Sequence, residues 1–169
     1  MSIAASLLPE FDHEAATTRR VLERVPWDRH EWAPHPKSMT MQQLSTHVAR
    51  LPGWTAITIA QDSFDVGDPE SGSFEDPLPG STDELVALFD RNVATARAAL
   101  EGASDATLFQ PWTLKSGETD VFTLPRVAVL RSFVMNHLVH HRGQLSVYLR
   151  MNDVPVPSIY GPSADESKF

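Results

Sequence analysis

Apolar positions in this chain recur every three or four residues. Ala4, Leu7, Leu8, Phe11, Ala15, Thr18, Leu22 and Val25 draw one stripe down a first helix. Pro9 falls early, where a first turn tolerates it best, and Pro26 ends the segment. A second helix opens at Thr40, where Thr40-Met41-Gln42-Gln43 has the hydroxyl and amide of a capping box. Its apolar face, Leu44, Val48 and Leu51, continues through Trp54, Ile57 and Ile59, with a kink expected at Pro52-Gly53. Ser81-Thr82-Asp83-Glu84 repeats the capping pattern before a third stripe, Leu85, Leu88, Phe89, Val93, Ala96 and Leu100, which Gly102 terminates. A fourth helix starts at Pro125 and runs until Asn152-Asp153 and Pro155 stop it.

The connections are long. Residues 27–40 read as an ordered loop, with Trp27 and Trp32 large enough to plug the end of a bundle. Residues 62–80 are acidic and rich in Pro, Gly and Ser, the composition of a surface loop. Residues 103–124 admit either a short hairpin about Lys115-Ser116-Gly117-Glu118 or an irregular loop. The tail after Pro155 is extended, and Ile159 and Tyr160 are placed to dock it on the body. Four amphipathic helices predict an all-α four-helix bundle, and 169 residues predict one domain over residues 1–169.

Composition narrows the chemistry. There is no Cys, so disulfides, thiolate nucleophiles, iron–sulfur clusters and Cys-ligated zinc are excluded together. Any metal must be held by imidazole and oxygen. The net charge of −8, from 14 basic and 22 acidic residues, argues against a nucleic-acid partner, which calls for a basic excess. No apolar run approaches the roughly 18–20 residues of a membrane span, and the N-terminal stretch lacks the basic start of a signal peptide. A cytoplasmic protein with a small-molecule substrate is the expectation.

The informative segment is Asn136-His137-Leu138-Val139-His140-His141-Arg142-Gly143-Gln144. At about 100° per residue, His137 and His141 lie roughly 40° apart on the helix surface. Leu130, Val134 and Tyr148 share their sector, so the pair points at the apolar seam, with His140 at the sector's edge. Two imidazoles at i and i+4 can converge on one ion. His47, beside Leu44, Val48 and Leu51 on the second helix, is the best third donor. Three His ligands leave a coordination position open, as catalytic zinc sites do. His13, His30 and His35 carry no spacing signal. Gln144 can bond a ligating ring. Gly143, costly inside a helix, suggests close approach of a neighbouring helix or room beside a metal. Arg142 points away from the pair and reads as a solvated or interface ion-pair residue. Asp12 reads first as a solvated acid and second as a base or acceptor near the site.

These residues carry a resemblance. His137-x-x-x-His141-Arg142-Gly143-Gln144, with Leu145, Tyr148-Leu149-Arg150 and Val154-Pro155, resembles the signature of the DinB family (DinB/YfiT-like metalloenzymes). Gln43-Leu44-Ser45-Thr46-His47-Val48, the Trp32-x-Pro34-x-Pro36-Lys37-Ser38-Met39 loop and Ile159-Tyr160-Gly161-Pro162-Ser163 are similar too. The resemblance implies a four-helix bundle, usually a homodimer. It also implies one divalent metal, zinc or nickel, held by His47, His137 and His141. It further implies thiol S-transferase chemistry with a low-molecular-weight thiol cosubstrate. The expected function is therefore a metal-dependent thiol transferase or hydrolase, with Gln144 and Tyr148 shaping the pocket and no general base assigned. The alternative is a non-catalytic metal-binding bundle with a structural or stress-sensing role.

Overall fold

The computed structural model describes residues 2–68 and 78–166. Four helical rods form the body. The first is α1 (Ile3–Leu22). The second is α2 (Met41–Arg50), joined through a 3₁₀ turn at Leu51–Gly53 to α3 (Trp54–Ala60). The third is α4 (Thr82–Gly102), after which α5 (Asp105–Phe109) adds a short helix. The fourth is α6 (Arg126–Val129), a π-helical stretch at Leu130–Met135, and α7 (Asn136–Met151). α1 packs on α4 and α7, and α2 packs on α4 and α7.

Local chemistry sets the ends. Thr40 accepts from Gln43 N while the Gln43 side chain accepts from Thr40 N, completing the expected capping box. At α4 only half of the second box forms. Ser81 accepts from Glu84 N, but the Glu84 carboxylate reaches one residue further back, to Gly80 N at 2.7 Å. The kink expected at Pro52-Gly53 is the 3₁₀ turn, which tightens the ladder where Pro52 lacks an amide hydrogen. Pro9 lies in the second turn of α1, deeper than expected, because Ser2 caps the helix two residues before the first stripe residue. Asp153 takes φ +58° after Asn152, and Val154 N closes on Leu149 O.

The all-α expectation is corrected by a small sheet. β1 (Ser63–Asp65) runs parallel to β2 (Pro111–Ser116), which pairs antiparallel with β3 (Thr119–Pro125). Leu114 faces Phe64 on one side and Phe122 on the other. Gly117, at φ +60°, opens the two-residue hairpin turn, and its amide donates to Asp65 Oδ1. Of the acidic segment read as loop, residues 63–65 thus form a strand and 69–77 lie outside the described residues. Alternation buries Trp112 and Leu114, and the sheet seats on Trp54 of α3 through the rings of Trp112 and Phe64. Arg126, buried at the join, donates to Thr58 O, Gln61 O and Asp62 Oδ1 and so ties α6 to the end of α3. Among the described residues no helix is long and apolar enough to cross a membrane.

The core holds the predicted stripes, Leu7, Phe11, Leu22, Leu44, Val48, Leu85, Phe89 and Leu100 among them. It also holds one ion pair that the sequence placed outside. Arg142 is 1% exposed and lies 2.6 Å from Glu14 of α1. Its Nη2 donates to the Tyr160 hydroxyl at 2.7 Å, and that hydroxyl donates to the Glu14 carboxylate at 2.9 Å. The Tyr160 ring lies on the surface, with Arg142 5.2 Å from its centroid. Arg142 does point away from the His pair, but a buried acid rather than solvent waits there. The docked tail is the lid of that pair.

Breaking this pair leaves one charge buried without its partner. Arg142→Met is expected to cost about 3–5 kcal/mol in urea unfolding. Tyr160→Phe is expected to cost about 1 kcal/mol, and the double change Arg142→Met with Glu14→Leu to recover most of the loss. A single Arg142→Met within error of the parent would show that the pair contributes no structural constraint.

Candidate metal centre

α2 and α7 bring three rings together. His47 sits in the last turn of α2, His137 in the first turn of α7, and His141 one turn later. The His47 and His137 Nε2 atoms are 3.3 Å apart, and those of His137 and His141 are 2.9 Å apart. The ring centroids of His47 and His141 are separated by 4.5 Å. His140, by contrast, is exposed and meets the ring of His141 edge-on, at 4.8 Å between centroids.

The outer nitrogens fix what the inner ones present. His137 Nδ1 faces the Phe133 carbonyl at 3.2 Å, and a carbonyl can only accept, so Nδ1 carries the proton. His141 Nδ1 meets Gln144 Oε1 at 2.7 Å in the same sense. Both Nε2 atoms then present lone pairs to one another. Two lone pairs at that distance repel unless positive charge lies between them. Two nitrogens sharing one tetrahedral ion at about 2.0–2.1 Å would stand roughly 3.3 Å apart; His47 and His137 show that spacing, and His137 and His141, at 2.9 Å, stand closer. The donor set fits a divalent metal.

Electrostatics keep the rings in their ligating form. Burial, with repulsion from His141, His137 and Arg50, pushes the His47 imidazole down to about 4. Burial also lowers His137, with further repulsion from His141, against the opposing pull of the Phe133 carbonyl. His141 is lowered chiefly by burial, which its bond to Gln144 opposes. All three are neutral at pH 7.

The π-helical stretch supplies part of this geometry. It shifts the backbone register just before Asn136, and from within it Phe133 offers its carbonyl to His137. Uniform 100° steps from Leu130 to Tyr148 miss that shift. Tyr148 lies two turns beyond His141, donates to Met39 O at 3.1 Å and meets Trp32 edge-on. It is therefore tied to the loop before α2 rather than to the triad. Asp12 is held by Arg97 of α4 at 3.0 Å, consistent with the solvated-acid reading. Of the other histidines, His30 stacks on Trp27 and His35 Nδ1 accepts from Lys37 N. Gly143 is exposed, and a Cβ there would meet nothing within 4 Å among the described residues, so none of the described elements requires its smallness.

A cavity of about 460 Å³ opens beside His47. Leu51, Trp54 and Leu78 supply apolar wall, Met39 the rim, and Gln43, Thr46 and Arg50 the polar groups. Arg50 did not stand out in the sequence. Its signal was there: Gln43, His47 and Arg50 are spaced by four and three, one stripe of α2.

The comparisons with known proteins agree with this architecture. Over 41 residues the chain is 46% identical to the uncharacterized protein YrdA of Bacillus subtilis, a match spanning 24% of this chain and 25% of that one. The fold is that of a DinB-like protein, YjoA, from Bacillus subtilis (TM-score 0.71, 20% identity, 96% of this chain and 99% of that chain). It is likewise that of a DinB-like protein from Bacillus cereus (TM-score 0.68, 19% identity, 94% and 98%). A DinB-family structure from Exiguobacterium sibiricum aligns at TM-score 0.65 and 19% identity over 94% and 97%. The sequence profile of the DinB family matches residues 1–168, and the chain belongs to that family.

Proposed function

We propose that this protein is a metal-dependent enzyme, a thiol S-transferase or hydrolase, whose divalent ion is held by His47, His137 and His141. The observation that carries the reading is the convergence of three imidazole nitrogens beside a cavity of substrate size. Imidazole donors suit zinc and nickel, and a bound ion would lower the pKa of a coordinated water or thiol toward neutrality. The chain's own residues do the rest. Phe133 O and Gln144 orient two of the rings. Leu51 and Trp54, just beyond α2, give the cavity apolar wall beside His47. With no Cys in the chain, the sulfur must come from an external thiol. In transfer, that sulfur forms a bond to an electrophilic carbon as the carbon's bond to its leaving group breaks; the leaving group departs with that electron pair (chloride, for monochlorobimane), and the thiol proton passes to solvent.

We place the homodimer contact on the exposed α7 stripe Gly143, Val147 and Met151, where a second copy would account for the uncovered glycine.

Elemental analysis after loading is expected to find about one divalent ion per chain. His141→Ala should abolish it, His140→Ala should keep it, and Gln144→Ala should weaken affinity roughly 10–100-fold. Retention by His141→Ala with loss in His140→Ala would reassign the third ligand. Loaded protein is also expected to conjugate a low-molecular-weight thiol to monochlorobimane, and His137→Ala to abolish this. Ester hydrolysis without conjugation would select the hydrolase branch, and neither activity would select the non-catalytic bundle. For the dimer, Val147→Lys is expected to halve the mass seen by light scattering; a monomeric parent would overturn the contact.

A further inference from the structure

The cavity beside His47 has a chemistry that the three imidazoles leave unused. We propose that it is a monocarboxylate subsite. In it Arg50 holds the carboxylate of a small organic acid, and the apolar body of that acid lies along Leu51, Trp54 and Leu78. The subsite deepens the reading above and rests on it for which end of the acid reacts; the carboxylate contact itself needs no metal.

Two observations converge. The cavity has the size of a small-molecule site and the expected lining, apolar walls with a few polar groups on one side. Those polar groups come from one face of α2, so His47 and Arg50 stand one turn apart and can touch two ends of one short molecule.

Chemistry then selects the ligand. A guanidinium presents a planar fork that matches a carboxylate, and apolar walls strengthen the contact by excluding water. The chain carries −8 overall, which disfavours polyanions such as nucleotides and leaves a singly charged acid as the best fit. Thr46 adds a further polar group. It is 2% exposed, lines the cavity, and its hydroxyl makes no hydrogen bond among the described residues. A single χ1 step exchanges its methyl and hydroxyl at the wall, and an entering carboxylate oxygen can accept from it.

The test compares 4-phenylbutyrate with its neutral amide by calorimetry, on the full chain, both treated with chelator and loaded with zinc. The acid is expected to bind the metal-free protein at least tenfold more tightly than the amide. Arg50→Gln should bring the acid down to the amide's affinity, Arg50→Lys should restore part of the preference, and His141→Ala should leave it intact. Equal binding of acid and amide, a preference that survives Arg50→Gln, or a preference seen only with zinc would overturn the subsite. Metal uptake failing while the preference persists would instead sink the reading of the triad. Unfolding curves for Arg50→Gln and Arg50→Lys establish that both variants are folded, and the two variants give independent readings.

Discussion

The Nε2 lone pairs of His137 and His141 face each other at 2.9 Å and repel, and the rest of the structure has to keep them there. Nothing in a short helix favours such a contact. The Nε2 atoms of His137 and His141 are 2.9 Å apart because α7 places them one turn apart and because Phe133 O and Gln144 turn both rings the same way. His47 meets them only if α2 and α7 hold a fixed rotation and offset. A ring swung by one rotamer would relieve the repulsion at small cost, so the surroundings must be stiffer than the contact is unfavourable.

That stiffness comes from another face of α7. Arg142 follows His141 directly, so it points about 100° away from it. There it meets Glu14 and Tyr160 in a fully bonded group. A buried ion pair is a weak source of net stability, but it is intolerant of misalignment, since either charge left alone is costly. The pair therefore sets the rotation of α7 against α1. On the other side, the capping box at Thr40 sets where α2 begins and hence where His47 falls. The rings are thus located by polar contacts at a distance from them.

Much of this was legible in the sequence because it depends on helical period alone. The stripes on α1, α2 and α4 and the His137–His141 spacing are statements about 3.6 residues per turn, and the structure reproduces them. What was not legible depends on partners far along the chain. The burial of Arg142 follows from Glu14, 128 residues earlier, and from a tail that had to fold back. β1 is three residues long and becomes a strand only because residues 113–115 lie beside it. The π-helical stretch has no period of its own to read, since its signature is the failure of a period within a continuous helix. Arg50 is a different case. Its position was computable by the same arithmetic that paired the histidines, but no cavity was in view to give a lone arginine a role.

One consequence follows from using a single helix face for several tasks. α2 is ten residues long, and along one side it carries Gln43, Thr46, His47 and Arg50. Its other side buries Leu44, Val48 and Ala49 against the core. A helix so divided cannot rotate to relieve the imidazole contact without exposing its leucine and valine, and that burial is worth about 1.5–3 kcal/mol for each large side chain. The hydrophobic stripe read first from the sequence is therefore what fixes the direction of the polar one. The same packing that makes the bundle a bundle points an imidazole and a guanidinium into one cavity.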